Sequence, residues 1–166
     1  MVIPVAHDFN CPWCWIGYFQ AFDLKREFGY ELYPDEMAWP APAVPVPVAY
    51  PDRPVTPTRL ELAYAAQGMD KPSAIRPKQM RTHNAHEAVE LAKVYGVADE
   101  VIHRLYPAYW EQGLNINEPD VLLELCAGLL DRAELADVLA ARRFAANIIP
   151  YDKPAYASGV YNVPTF

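Results

Sequence analysis

Val2 to Phe9 is an almost unbroken apolar, partly β-branched run that stops at Asn10-Cys11-Pro12, the pattern of a buried strand. From Pro12 the period changes. Trp15, Ile16, Phe19, Phe22 and Phe28 recur at helical spacing, and Gly29 supplies a stop. Tyr30 to Met37 reads as a weaker second strand. Strand, helix, strand opens a βαβ unit, and the first strand-to-helix junction falls at Cys11.

Ala38 to Pro57 is rich in proline and reads as a connector, since each Pro removes a donor and clashes with a preceding helical turn. Thr58 to Gly68 predicts a short helix, and Met80 to Tyr95 a clearer one, with Ala85, Ala88, Val89 and Ala92 on one face and Gly96 at its end. Ala98 to Gln112 is helical, with Pro107 expected to kink or divide it. Asn117 is expected to cap the next helix, with Pro119 in its first turn and an apolar stripe of Val121, Leu122, Leu125, Cys126, Leu129 and Leu130. Asp131 to Phe144 predicts a further amphipathic helix. Pro150 to Ser158 predicts one short turn, and Val160 to Phe166 passes from loop to strand. The helices in the middle therefore interrupt one sheet.

Length and composition narrow the classes. The 166 residues fit one domain, or one domain carrying an insertion. A net charge of −7 argues against nucleic acid and against an anionic membrane surface as partners. The apolar runs are too short to span a bilayer. The N-terminus, Met1-Val2-Ile3-Pro4-Val5-Ala6-His7-Asp8, lacks a basic leader and a cleavage site, and predicts a cytoplasmic protein. In that compartment a close cysteine pair points to catalysis or metal binding rather than to a structural disulfide.

Cys11 and Cys14 bracket Pro12 and Trp13. Disulfide exchange needs a thiolate, and a helix N-terminus stabilises one through unpaired N–H groups and its positive dipole end. Cys11 sits at that end and is the expected attacking thiol. Cys14, one turn along on the same side, is the expected buried, resolving thiol. Pro12 suits the first turn, and Trp13 is expected to be exposed beside the sulfurs. Near the other end stands Val163-Pro164. A cis bond there would turn the chain sharply and leave the Val163 backbone free to pair with an extended peptide or a thiol ligand.

Zinc is the structural alternative for the pair. Structural zinc needs four ligands, and the remaining candidates are Cys126 within a leucine stripe and His83 with His86. That count favours redox chemistry, with no metal expected. His7 and Asp8 read as a solvated or hydrogen-bonded pair at the strand end. Asn84 and His86 read as residues of a helix start, and Trp15 and Phe19 as core.

Four segments carry a family resemblance: Asp8-Phe9-Asn10-Cys11-Pro12-Trp13-Cys14-Trp15-Ile16-Gly17, Asn84-Ala85-His86, Tyr109-Trp110-Glu111-Gln112-Gly113, and Gly159-Val160-Tyr161-Asn162-Val163-Pro164-Thr165-Phe166. Together they resemble the DsbA-like thioredoxin family, in its FrnE-type branch. The resemblance implies an α/β, thioredoxin-like fold with an inserted α-helical domain. Residues 1–57 would be its first part with the proline-rich loop, 58–149 the insertion, and 150–166 the return. It implies a thiol–disulfide oxidoreductase with Cys11 attacking, Cys14 resolving and Pro164 as the cis-proline. Pro12, Trp13 and Val163 would shape the substrate site.

No bound cofactor is implied. Glutathione or a dithiol protein would exchange electrons with the pair, protein or small-molecule thiols and disulfides would be the substrates, and a homodimer is compatible with the reading. Asn162 replaces the family's usual Gly. Members of the family continue beyond the equivalent of Phe166 through more strand and a helix, so the chain reads as truncated at its C-terminus. A sibling branch resembles 2-hydroxychromene-2-carboxylate isomerase and kappa-class glutathione transferases. It carries Ser in place of Cys11, and the dithiol here disfavours that activity. A peptide- or metal-binding module that has kept the fold is the non-enzyme alternative.

Overall fold

In the computed structural model, which describes residues 1–38, 56–69, 80–150 and 153–166, β1 (Val2–His7) pairs in parallel with β2 (Glu31–Ala38). Val5 stands opposite Pro34 and His7 opposite Glu36. The right-handed route between parallel strands needs a crossover, and α1 (Pro12–Phe28) supplies it. Gly29 ends α1 at φ 68, a left-handed conformation that costs a glycine little, and its N–H donates to Lys25 O at 2.8 Å. A short β3 (Ile149–Pro150) adds to β2 in parallel, opposite Met37 and Ala38. The sheet order is β1-β2-β3.

Among the described residues, five α-helices lie between β2 and β3: α2 (Arg59–Ala66), α3 (His83–Tyr95), α4 (Ala98–Trp110), α5 (Pro119–Leu125) and α6 (Arg132–Ala141). The helix α2 begins with a capping box in which Thr58 and Glu61 each satisfy the other's backbone N–H. At the centre is α3. Every position from Ala85 to Ala92 is buried, and the helix packs against α4, α5, α6 and β2. One continuous apolar cluster runs from Val5, Trp15 and Tyr18 through Leu91 and Leu105 to Val138. The helices thus share a core with the strand-and-helix unit. After β3 come α7 (Lys153–Ala157) and a terminal segment whose Thr165 exchanges both backbone hydrogen bonds with Ala6, antiparallel to β1.

Several expectations change. Asn117 does cap a helix, but the helix is α3: its carboxamide oxygen accepts from Asn84 N–H at 3.0 Å, while Glu118 occupies the start of α5. Pro107 does not divide α4, which runs through it to Trp110. α5 stops at Leu125, so Leu129 and Leu130 reach the core from a turn. α6 stops at Ala141, and a 3₁₀ turn at Ala145–Asn147 follows. The two-residue β3 escaped the periodicity because so short a run carries no alternation. At the C-terminus the expected strand is reduced to the single bridge of Thr165. The proline-rich connector lies outside the described residues except at its ends.

Leu105 is fully buried in α4 at the centre of the shared cluster. Leu105→Ala is expected to cost about 2–5 kcal/mol of unfolding free energy, read from urea denaturation. A loss below about 1 kcal/mol would mean that the helices and the sheet unit do not share a core.

Candidate active site

The site begins where β1 ends. Cys11 is the N-cap of α1, with extended φ −93 and ψ 115 and no side-chain capping bond, so its sulfur is left to face the open N–H groups of the first turn. Backbone N–H groups of Trp13 and Cys14 act on it. Cys11 is partly exposed, Cys14 is buried, and both are free thiols. The hydrogen bond from the Cys14 thiol is the largest influence on Cys11. With the backbone N–H groups it outweighs burial and holds the Cys11 thiol below the ordinary 9.0. Burial, then the bond to Cys11 and its charge, push Cys14 well above that value. Pro12 opens the helix, and Trp13 is exposed beside the pair.

The other predicted residues arrive from the far end of the chain. The Val163–Pro164 bond is cis, and the Cys11 Sγ lies 3.5 Å from the Val163 carbonyl oxygen, to which the thiol can donate. Gly17 explains how the two segments approach so closely. A Cβ at that position would lie 3.0 Å from Pro164 Cγ and 3.3 Å from the Phe166 ring. The glycine inside α1 is a packing requirement, although Gly within a helix costs about 1 kcal/mol against Ala.

The helices hold the loop that leads into Cys11. The Tyr109 hydroxyl donates to Asn10 Oδ1 at 2.8 Å, Trp110 Nε1 donates to Phe9 O at 3.0 Å, and Asn10 Nδ2 donates to Met80 O at 2.9 Å. Trp110 also stacks on Trp15 of α1 at 6.2 Å and 11°. The Tyr109-Trp110 pair, supportive only in sequence, thus grips the active-site loop directly.

Below the dithiol lies a polar cluster that the sequence did not reveal. His7, Asp8, Glu36 and His86 are all buried, so the solvated reading of His7 and Asp8 is corrected. His7 Nδ1 is 2.9 Å from the Tyr106 hydroxyl, and its Nε2 is 3.3 Å from Glu36 Oε2. His86 Nδ1 bonds Glu36 on one side, and His86 Nε2 lies 3.6 Å from Asp8 Oδ1 on the other. Asp8 Oδ1 also accepts from Thr82 Oγ1 at 3.0 Å and from Asn10 N–H at 3.1 Å. Burial alone would raise Glu36, but the charges of His7 and His86 and their hydrogen bonds outweigh it and hold the carboxyl well below its usual range. Burial alone would lower His86, but Glu36 and Asp8 push it up to about 9. The one signal available in sequence was His7 at the end of the apolar run of β1; Glu36 and His86 stand among polar neighbours and gave none.

Among the described residues, His7, Glu36 and His86 are the one group with metal-ligand spacing, their atoms lying within 4.8 Å of one another. His7 and His86 each already bond Glu36, and Lys93 Nζ, which bonds Glu90, stands 3.9 Å from Glu36 Oε1. His83 stays outside this group, and Cys126 is buried at the end of α5, where burial raises its thiol to about 11.

The family profile of the DSBA-like thioredoxin domain matches residues 51–166, a span that begins after the dithiol. No curated protein matches the sequence. Among solved structures, a probable DsbA oxidoreductase from Streptomyces coelicolor superposes with a TM-score of 0.72 at 22% identity, over 99% of this chain and 78% of the other. The cytosolic disulfide reductase DsbM from Pseudomonas aeruginosa, described with GSH, gives 0.70 at 20% identity over 99% and 84%. A 2-hydroxychromene-2-carboxylate isomerase gives 0.65 at 14% over 99% and 84%. The chain belongs to the DSBA-like thioredoxin domain family, whose fold it shares with these proteins.

Two outcomes follow from the site's electrostatics. In the reduced protein, iodoacetamide is expected to alkylate Cys11 first, at pH values where an ordinary thiol reacts slowly, and to leave Cys14 and Cys126 unmodified. Peptide mass mapping checks this, and equal labelling of the three would contradict it. Stability should also depend on pH through Glu36 and His86. The depressed Glu36 contributes fully above its ordinary 4.5 and loses its contribution as pH falls toward its folded value. The raised His86 contributes fully below 6.5 and loses its contribution as pH rises through about 9. Both are in full effect between 4.5 and 6.5, so urea midpoints should be highest there and fall toward pH 9. A flat alkaline limb would contradict this.

Proposed function

We propose that this DsbA-like protein is a thiol–disulfide oxidoreductase of the FrnE type, with Cys11 and Cys14 as the exchanging pair. The observation that carries the reading is the asymmetry of the pair: Cys11 is partly exposed at the start of α1 with its thiol eased toward the thiolate, and Cys14 is buried and protonated beside it. The residue division 1–57, 58–149 and 150–166 is retained as part of this proposal, as is a cytoplasmic setting.

The Cys11 thiolate attacks one sulfur of a substrate disulfide. A Cys11–substrate bond forms, the substrate S–S bond breaks, and the departing thiolate takes a proton from solvent. Cys14 then loses its proton and attacks the Cys11 sulfur. The Cys11–Cys14 disulfide forms, the second substrate thiol leaves, and two electrons have passed from the protein to the substrate. Reversal of the same steps oxidises a substrate dithiol. Val163 stands where its backbone can pair with an extended segment next to Cys11, and exposed Trp13 offers an apolar surface beside it. Glutathione is the proposed electron donor, supported by the structural neighbour described with GSH. Substrates are protein or small-molecule disulfides.

Insulin-disulfide reduction with glutathione as donor tests the reading. Cys11→Ser is expected to abolish turnover. Cys14→Ser is expected to accumulate a mixed disulfide on Cys11, visible as an added mass that reductant removes. Equal rates in wild type and Cys11→Ser would overturn the proposal. Turnover of a glutathione-dependent isomerisation that survives Cys14→Ser would instead identify the isomerase alternative.

A further inference from the structure

The dithiol chemistry uses neither His86 nor Asp8, yet both are buried within the same polar cluster as the approach to Cys11. Asp8 is the hinge between them. Its carbonyl oxygen accepts from Cys11 N–H at 3.0 Å, its backbone N–H acts on the Cys14 sulfur, and its carboxylate charge works against ionisation of both sulfurs, more weakly than burial does. A negative group beside a dithiol that must itself become negative is a liability. It stays in place because Thr82 and the Asn10 N–H hold one oxygen and His86 approaches the same oxygen.

We propose that His86 is a positioning residue for the dithiol: held between Asp8 and Glu36, it sets positive charge against a carboxylate that opposes both sulfurs, and so eases the Cys11 thiol toward its thiolate. The inference rests on Cys11 and Cys14 being the exchanging pair. The groups that face His86 come from four elements. Glu36 comes from β2. His7, with its ring 5.4 Å away, comes from β1, and Asp8 from the turn after it. Tyr106 of α4 reaches the cluster through His7, and Tyr18 of α1 lies against the same ring at 4.7 Å. From α3 itself, Lys93 approaches Glu36, and His83 feels the charge of His86. His86 is the cation that contacts both carboxylates.

The test is the pH midpoint of Cys11 alkylation by iodoacetamide, followed peptide by peptide in the reduced full chain. The variants are His86→Gln, Asp8→Asn and the pair combined. His86→Gln should raise the midpoint and so lower the thiolate fraction below it. Asp8→Asn should lower the midpoint, and the double variant should fall between the two. A residue that merely supports the fold would lower stability without moving the midpoint. If His86→Gln fails to fold, His86→Asn takes its place in the same series. A midpoint unmoved in either folded variant, or raised by Asp8→Asn, overturns the proposal. Alkylation needs only the thiol, so it decides this inference whether or not the insulin assay supports disulfide turnover.

Discussion

The buried carboxylates of Asp8 and Glu36 constrain both the strand register and the central helix. Removing an ion from water costs several kcal/mol even after the protein relaxes around it, so Asp8 and Glu36 can be enclosed only where partners are already in place. Those partners come from separate parts of the chain. His7 stands opposite Glu36 in the β1–β2 register, and His86 and Lys93 approach from α3. Thr82 stands just before α3 and Asn10 in the loop before α1. A shift of β1 by one residue against β2 would move His7 to the opposite face and leave Glu36 without one of its partners. A rotation of α3 would remove His86. The cluster therefore fixes the strand register and the orientation of the central helix together.

The same fixing reaches the sulfurs. Cys11 has its reactive position because β1 ends at a defined residue, the chain turns through Asp8, Phe9 and Asn10, and α1 begins at Pro12. Each of those three turn residues is held by a group from outside the turn: Thr82 on Asp8, Trp110 on Phe9, and Tyr109 on Asn10. The helices between β2 and β3 are therefore more than a cover over the sheet. They supply the side chains that hold the loop leading into Cys11, and their apolar faces run into the core of the strand unit without a break.

How much of this was legible in the sequence depends on range. The strand-to-helix junction, the dithiol and Gly29 are local features, and local periodicity located them. The helices α2, α3, α4 and α6 were legible for the same reason, with ends off by a few residues where a 3₁₀ turn or a tight turn continues the apolar pattern without the helix. What sequence could not place were pairings set by tertiary structure. Asn117 has the character of a cap, but which helix it caps depends on folding that brings residue 117 to residue 84. Gly17 reads as a mere weakness in α1 until Pro164 arrives beside it. His7, Glu36 and His86 lie far apart in the chain, and each alone is more economically read as a surface or helix-start residue.

The two cysteines show how one helix turn can set two thiols apart. They share a helix turn, a side and a chemistry, and differ in one coordinate. Cys11 is where the helix has not yet closed its backbone bonds, and Cys14 is where it has. The Cys14 N–H already donates to Cys11 O at 3.1 Å, and that of Trp15 donates to the same oxygen at 3.3 Å. The donors that would stabilise a thiolate are therefore spent progressively along the first turn, while burial grows in the same direction. One sulfur is favoured as an anion and the next as a neutral thiol, and that order suits an exchange in which attack comes first and resolution second. The carboxylate of Asp8 disfavours charge on both sulfurs, so this order does not come from it. It comes from the hydrogen bond that the Cys14 thiol gives to Cys11, from the open N–H groups of the helix start, and from the burial of Cys14.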